Sequence, residues 1–86
     1  MTEADLKAAI IECLAPIAPE ADPARLDPEA NIRESLDIDS YDFLQFLIAL
    51  SRRLGIEVPE ADYARLASMK GLLAYLGARL QFPEKN

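Results

Sequence analysis

Apolar residues near the start of the chain recur at steps of three and four, which is the spacing of one face of an α-helix. Their positions are Leu6, Ala9, Ile10, Cys13, Leu14 and Ile17. Thr2 and Asp5 have the spacing of a capping box, in which each side chain accepts a backbone N–H at the start of a helix. Pro16 interrupts a helix because it lacks an N–H and clashes with the preceding turn. The pattern therefore predicts a first helix that begins at Thr2 and ends near Ala15.

A long connection follows, from residue 16 to residue 38, and it contains four prolines and several acidic residues. A connection of this length is unusual in a small domain, and it favours either a functional loop or a fold that wraps around itself. Asp22 followed by Pro23 predicts a single helical turn, because proline suits the first position of a helix. Four apolar side chains are expected to hold the connection against the core. They are Leu26, Ile32, Leu36 and Ile38.

The broadest apolar face predicts a second helix from Ser40 to Leu54, at the centre of a helical bundle. Its apolar positions are Phe43, Leu44, Phe46, Leu47, Leu50 and Leu54. Asp39 is a good N-cap, and Gly55 suits the left-handed residue that ends many helices. At 3.6 residues per turn, Ser40 lies nearly above Leu44 and Leu47. Because both leucines are predicted to point inward, a group attached to Ser40 would begin over the seam of the bundle.

The last third of the chain predicts an extended stretch and two further helices. Residues 56–59 end in a proline, and the residue before a proline avoids helix. A brief helix is expected over residues 60–66, with Tyr63 facing inward. Ser68 then caps a final helix over residues 69–80. The apolar stripe of that helix consists of Met69, Leu72, Leu73, Leu76 and Leu80.

The elements together predict an all-α fold. It is a four-helix bundle with three longer helices, one short helix and a long loop between the first and second helices. The length of 86 residues fits one small domain, and the hydrophobic content of 51% excludes a disordered chain. We expect one domain over residues 1–82 and a flexible tail over residues 83–86.

The charge of the chain limits its partners. The formal net charge is −6, and an acidic surface repels nucleic acid and anionic lipid. No apolar run approaches the length of a membrane span. The first five residues lack the basic residues of a signal peptide. We therefore expect a cytoplasmic monomer whose partners are proteins with basic surfaces.

The residue types that are missing argue against an enzyme and against a metal site. The chain has no histidine, which removes most hydrolase triads and most zinc sites. Its one cysteine, Cys13, cannot form an intramolecular disulfide and is predicted to be a small buried hydrophobe. A calcium loop beginning at Asp37 would need a glycine and a glutamate where Asp42 and Ile48 stand. A hydrolase based on Ser40 would lack both a histidine base and a Gly-x-Ser-x-Gly turn.

The candidate chemistry lies in the Asp39-Ser40 pair, where the long connection meets the second helix. A hydroxyl there is held at the edge of the bundle, and a phosphate ester formed on it would lie at a helix N-terminus, where N–H groups and the helix dipole favour an anion. An Asp-Ser pair is also a common helix cap. The pair alone therefore leaves open a helical interaction module in which Ser40 is only part of a cap.

The order of features over nearly the whole chain resembles the acyl carrier protein family. An apolar helix, a long acidic loop and Asp39-Ser40 precede a core helix, and Gly-Ile-Glu-Val-Pro follows at residues 55–59. The resemblance implies 4′-phosphopantetheine on Ser40, attached by a phosphopantetheinyl transferase. It also implies acyl-loading and acyl-processing enzymes as partners, and no catalytic role for the chain itself. Asp39 would serve both as the helix cap and in docking of the transferase.

Departures from the family pattern lie on the predicted docking surface, which consists of Asp37, Tyr41, Asp42 and Gln45. Tyr41 replaces a frequent leucine, Asp37 replaces a common glycine, and Gln45 replaces a usual acidic residue. Residues 51–53 read Ser-Arg-Arg, where carriers of fatty acid synthesis are typically acidic. We therefore predict a specialised carrier, although the arginines also fit an ordinary solvated face. Fatty acyl, polyketide, aminoacyl and D-alanyl cargo all stay open.

Overall fold

The computed structural model describes residues 2–80, which contain four α-helices and two stretches of 3₁₀-helix joined by turns and irregular connections. The α-helices are α1 (Glu3–Leu14), α2 (Ile32–Leu36), α3 (Ser40–Leu54) and α4 (Met69–Leu80). The 3₁₀ segments are Pro23–Arg25 and Glu60–Leu66. Residues 2–80 contain no strand, so the predicted all-α fold is confirmed. The predicted tail at residues 83–86 lies outside the described residues.

Helix α1 has the boundaries and the capping box that its sequence predicts. The backbone N–H of Thr2 donates to Asp5 Oδ2 at 3.0 Å, and the Asp5 N–H donates to Thr2 Oγ1 at 3.2 Å. The first of these hydrogen bonds holds the pKa of Asp5 below its usual value. The helix ends where the Ala15 N–H donates to Ile11 O, one residue before Pro16.

The connection between α1 and α3 is more structured than its sequence predicts. The turn at Pro23–Arg25 is present as predicted, and Asp22 Oδ1 accepts the Ala24 N–H at 3.2 Å. Helix α2 was not predicted, because five residues are too few to show a helical period. Its Ile32 N–H donates to Ala67 O at 2.8 Å, so a distant segment helps to hold it. All four apolar residues expected to hold the connection do contact the core.

Asp37, which ends α2, has a left-handed backbone with φ of 56° and ψ of 48°. It is the one residue other than glycine with positive φ between residues 2 and 80. The turn allows the N–H groups of Asp37 and Ile38 to donate to Arg33 O. Because a Cβ atom destabilises this conformation, the position is one where glycine would relieve backbone strain.

We therefore expect Asp37→Gly to raise the free energy of unfolding by about 0.5 to 1 kcal/mol. Asp37→Ala is the control, because alanine keeps the Cβ atom but lacks the short polar side chain that tolerates this conformation. The alanine variant should have a lower free energy of unfolding than the wild type. Urea unfolding followed by circular dichroism measures both. A stability loss in the glycine variant would mean that the carboxylate, and not the backbone angle, holds the turn.

Helix α3 packs against α1 through its broad apolar face, but α1 also packs against α4 and against Pro23–Arg25, so α1 holds the central position that was predicted for α3. Phe46 is completely buried, and its ring centroid lies 5.6 Å from that of Phe43. Gly55 ends the helix with φ of 70°, as predicted. Leu44, however, is 37% exposed, so the prediction that it points inward was wrong. The face that α3 buries is narrower than its apolar stripe.

Helix α4 packs against α1 and against Glu60–Leu66, where the predicted brief helix is present as 3₁₀-helix. The Gly71 N–H donates to Ser68 Oγ at 3.0 Å, which confirms the predicted cap. A Cβ atom at Gly71 would collide with Arg65 O, so glycine allows α4 to approach the segment closely. Tyr75, which lies outside the predicted stripe, is only 6% exposed. No helix within residues 2–80 has the length and apolar character needed to cross a bilayer.

Candidate functional site

Ser40 is the first residue of α3, and its side chain is exposed. Asp39 forms the predicted cap, since its Oδ1 accepts the Asp42 N–H at 2.8 Å and its carbonyl accepts the Phe43 N–H at 3.0 Å. The N–H groups of Ser40 and Tyr41 have no acceptor among residues 2–80. Two backbone donors and the positive end of the helix dipole therefore lie beside the hydroxyl, and both favour an anion.

A mostly apolar groove of about 280 Å³ begins beside Ser40. Its lining consists of Asn31, Arg33, Ser40, Phe43, Leu44, Leu47, Tyr63, Ala64 and Ala67. The residues from α3 include both leucines that the helical wheel placed below Ser40. The opposite wall comes from the start of α2 and from the second 3₁₀ segment, Glu60–Leu66, with the residue that follows it. The hydroxyl therefore lies at the mouth of a space between α3 and a wall that comes from distant parts of the chain.

Most of that opposite wall could not be identified from sequence. Tyr63 was expected to face inward, but Asn31, Arg33, Ala64 and Ala67 carried no signal that would connect them with Ser40. Small alanines leave room for the groove, and small residues look unremarkable in a helical pattern. Leu47 and Tyr63 also line a second, more open groove of about 690 Å³, further along α3.

The predicted docking residues lie around Ser40, on the end of α2 and the first turns of α3. Asp37, Tyr41 and Gln45 are exposed, and Asp42 is half-buried. Asp42 also shares with Asp37 the lining of a cleft against the connection that follows α1. We refer to Asp37, Asp39 and Asp42 as the acidic patch. Their carboxylates make the surface around the hydroxyl negative.

Three large apolar side chains are exposed within residues 2–80, and all three belong to α3. Tyr41 is 66% exposed, and Leu44 and Ile48 are each 37% exposed. Steps of three and four residues place them on one face of the helix. We refer to these three residues as the apolar strip. It begins next to Ser40 and reaches the second groove at Ile48.

The two arginines near the end of α3 have different surroundings. Arg53 forms an ion pair with Glu12 of α1 at 2.5 Å, and this hydrogen-bonded pair raises the pKa of Arg53. Arg52 is exposed and lines the second groove. Arg52 is therefore the positive group at the end of the apolar strip, whereas Arg53 joins two helices.

Cys13 was predicted to be buried on the apolar stripe of α1, and it is half-buried against the core. Burial raises the pKa of its thiol, and the nearby Arg53 opposes that effect only in part. A thiol with a raised pKa is a poor nucleophile at neutral pH. The prediction of a structural role therefore fits its surroundings.

Comparison with known proteins connects this geometry to a family. A family model described as "Phosphopantetheine attachment site" matches residues 8–76. An acyl carrier protein of Helicobacter hepaticus is 29% identical over 73 residues, which cover 85% of this chain and 90% of that protein. This chain belongs to the acyl carrier protein family. An acyl carrier protein of Campylobacter hominis is 31% identical, and the match covers 84% of this chain and 85% of that protein. An acyl carrier protein of Thermosynechococcus vestitus is 29% identical, and the match covers 69% of this chain and 73% of that protein.

Membership in the acyl carrier protein family confirms two predictions. Its members are carriers rather than enzymes, and their prosthetic group is phosphopantetheine. In this family a phosphopantetheinyl transferase attaches the arm, and biosynthetic enzymes are the partners. The thiol of the arm supplies the thioester chemistry, so an acyl carrier protein needs no catalytic side chains of its own.

The residues around Ser40 fit a phosphopantetheine arm. The exposed hydroxyl offers an oxygen for a phosphodiester, and the N–H groups of Ser40 and Tyr41 offer donors to its anionic oxygens. Arg33, in the groove lining, adds a cation on the same side of the bundle. The apolar groove offers a surface on which an arm or its cargo can lie.

Proposed function

We propose that Ser40 carries 4′-phosphopantetheine and that the protein presents a thioester-linked acyl group to biosynthetic enzymes. The observation that carries the proposal is the exposed Ser40 hydroxyl at the N-terminus of α3, at the mouth of an apolar groove, in a chain of the acyl carrier protein family. Attachment forms a phosphodiester at Ser40 Oγ and breaks the pyrophosphate bond of coenzyme A, which releases adenosine 3′,5′-bisphosphate. The tether then raises the effective concentration of cargo at each partner's active site.

The test of this proposal is modification in vitro. The purified chain is incubated with coenzyme A, Mg²⁺ and a transferase of broad specificity, and its intact mass is measured. One added phosphopantetheinyl unit on the peptide that contains Ser40 is the expected result. A chain that stays unmodified would favour the alternative, an acidic helical interaction module that binds a partner through the apolar strip.

We further propose that the acidic patch and the apolar strip together form the docking surface for the transferase and for acyl-processing partners. Gln45, which is exposed between Tyr41 and Ile48 along α3, is the remaining residue of this surface. Exposed carboxylates steer a basic partner toward Ser40. The exposed apolar side chains, Tyr41 above all, can be buried in the complex. Aromatic side chains carry much of the affinity in such interfaces.

The charge along α3 supports a specialised carrier. The acidic patch lies at the Ser40 end, and Arg52 lies twelve residues later, about 18 Å along the helix axis. A partner that complements both ends must be basic near its active-site entrance and acidic further away. A partner that is basic throughout would meet Arg52 with like charge, which suppresses binding. The arrangement therefore supports a dedicated set of enzymes rather than those of general fatty acid synthesis.

The cargo is identified by the intact mass of the protein isolated from cells. A carrier of general fatty acid synthesis would carry a series of acyl chains that differ by two-carbon units. A specialised carrier would carry one dominant species, and its mass separates acyl, polyketide, aminoacyl and D-alanyl groups. A two-carbon series on Ser40 would contradict the specialised role and leave the carrier role intact.

The two proposed roles of Asp39 can be separated by a pair of variants. Asp39→Ala removes the oxygen that accepts the Asp42 N–H, so it should lower the free energy of unfolding by about 1 kcal/mol. Asp39→Asn keeps an oxygen in that position and should lower it by a few tenths of a kcal/mol at most. Thermal unfolding measures both values.

Both Asp39 variants lose the negative charge beside Ser40, so both should be modified more slowly by the transferase, by about tenfold in kcat/KM. The rate is followed by intact mass at saturating coenzyme A and at carrier concentrations below KM. Wild-type rates for the well-capped Asp39→Asn variant would show that Asp39 is only a helix cap.

A further inference from the structure

A cluster of polar and aromatic side chains connects α4 to the segment that precedes it. The Tyr75 hydroxyl donates to Asp62 Oδ2 at 2.5 Å and accepts a hydrogen bond from Arg79 Nη2 at 2.7 Å. Arg79 Nη1 also donates to Glu57 O at 3.1 Å. The guanidinium carbons of Arg65 and Arg79 lie 4.9 and 4.8 Å from the centroid of the Tyr75 ring. We refer to Asp62, Tyr75 and Arg79 as the tyrosine cluster.

The cluster stands out from the other polar contacts of the protein. Apart from ion pairs, the two side chain–side chain hydrogen bonds within residues 2–80 are both in it. The remaining side-chain hydrogen bonds are with the backbone, and most of them cap helices and turns. The bond to Asp62 raises the pKa of Tyr75, so the hydroxyl keeps the proton that it donates at any pH near neutrality.

The segment that the cluster holds is the wall of the groove opposite α3. Tyr63 and Ala64, which line the groove beside Ser40, directly follow Asp62. The segment is 3₁₀-helix, whose hydrogen bonds have poorer geometry than those of an α-helix, and its first turn has no side-chain cap. The position of Tyr63 therefore depends on contacts with the rest of the bundle as well as on the hydrogen bonds within the segment.

The two ends of this wall are held in different ways. At its far end, the buried Leu66 packs in the core, and Ala67 O accepts the Ile32 N–H at 2.8 Å. At its near end, Val58 and Tyr63 are half-buried against the core, and the polar contacts to α4 come from the tyrosine cluster. Loss of the cluster would therefore leave the near end with only its partly buried apolar contacts, so the near end and Tyr63 would open more often, while the far end stays in place.

We infer that the tyrosine cluster is a positioning device for cargo: it fixes the near end of the groove wall, and so determines how well an acyl chain attached through Ser40 is sheltered from water. The inference rests on the proposed function. Tyr75, Asp62 and Arg79 do not touch the cargo and act through Tyr63. They keep the groove narrow enough to exclude water from the apolar chain.

The experiment uses Tyr75→Phe, which keeps the ring and removes only the hydroxyl. The first readout is hydrogen exchange on the unmodified protein. The reporter is the Asp62 amide, which donates to Pro59 O at 2.9 Å. Losing a hydrogen bond to a charged partner should raise its exchange rate about tenfold. The Ile32 amide at the far end should change no more than the amides of α1.

The second readout is cleavage of a loaded chain. Octanoyl-phosphopantetheine is transferred from octanoyl-coenzyme A, loading is confirmed by mass, and hydroxylamine is added. Its nitrogen attacks the thioester carbonyl, a hydroxamate forms, and the thiol is released. Cleavage should be about three to ten times faster in Tyr75→Phe than in the wild type, because the near wall opens more often.

Two further variants separate positioning from stability. Ile10→Val removes one methylene from a fully buried side chain in α1, and it should lower the free energy of unfolding about as much as Tyr75→Phe does. Ile10→Val should not change the ratio of the Asp62 amide exchange rate to the exchange rates of the α1 amides. It should also leave the rate of thioester cleavage unchanged. Asp62→Asn keeps an acceptor for the Tyr75 hydroxyl and should lie between the wild type and Tyr75→Phe in both readouts.

Failure of this inference is distinguishable from failure of the proposed function. A wild-type chain that accepts no octanoyl-phosphopantetheine contradicts both. If the chain is loaded but Tyr75→Phe is cleaved at the wild-type rate, only the positioning role is overturned, whether or not Asp62 exchange increases. The role is also overturned if Ile10→Val accelerates cleavage as much as Tyr75→Phe does.

Discussion

Replacing Ser40 with alanine is expected to abolish modification of the protein. Wild-type protein offered coenzyme A and a permissive transferase should gain one phosphopantetheinyl unit, and Ser40→Ala should gain none, because no other aliphatic hydroxyl lies at the N-terminus of α3. The substitution removes one exposed oxygen and should change the free energy of unfolding by less than about 0.5 kcal/mol. Intact mass spectrometry reads the modification, and thermal unfolding confirms that the variant is folded.

Ser35 offers a matched control for this experiment. It is the other exposed serine within residues 2–80, and it lies in α2, five residues before Ser40. Ser35→Ala should be modified to the same extent as the wild type. If Ser35→Ala were not modified and Ser40→Ala were, the attachment site would be Ser35 and not Ser40. Full modification of Ser40→Ala would contradict the proposed function of Ser40.

Phe46→Ala is expected to have the largest effect on stability. Phe46 is completely buried at the centre of α3, and truncation of a buried phenylalanine costs about 3 to 5 kcal/mol, because it leaves a cavity as well as losing apolar contacts. That is comparable with the whole free energy of unfolding of a small domain, about 5 kcal/mol at the lower end. We therefore expect a fall in Tm of tens of degrees, or a largely unfolded chain.

Leu44→Ala is the matched control on the same helix. Leu44 lies two residues away and is 37% exposed, so its truncation should cost about 1 kcal/mol or less. Chemical unfolding of the two variants, followed by circular dichroism, gives the comparison. Similar losses in both variants would mean that the core of α3 extends around to the Leu44 face. The apolar strip would then be part of the core and not a docking surface.

The local signals in the sequence were sufficient for the parts of the fold that depend on neighbours in the chain. The capping box of α1, the Asp39 cap and the left-handed Gly55 each involve residues within one or two helical turns. Their hydrogen bonds form in almost any context, so their sequence patterns are informative. Ser40 could be predicted as the attachment site for the same reason, together with the family resemblance of the whole chain.

The features that the sequence did not predict depend on contacts between segments that are distant in the chain. Helix α2 has only five residues, and its Ile32 N–H donates a hydrogen bond to the carbonyl of Ala67, which is 35 positions later. Leu44 has the periodicity of a core residue, but a helical wheel contains no information about which elements lie against each face. Tyr75 was not assigned to the core, because its burial depends on partners in another segment.

The sequence by itself therefore determined the all-α fold, the three longer helices, the family and the candidate residue Ser40, because each of these depends on local pattern and spacing. Only the tertiary structure decided which residues stand opposite Ser40 in the groove, and that the tyrosine cluster holds their segment. The physical reason is that the groove wall is assembled from α2 and the 3₁₀ segment, whose positions are set by contacts across the bundle rather than by their own weak helical propensity.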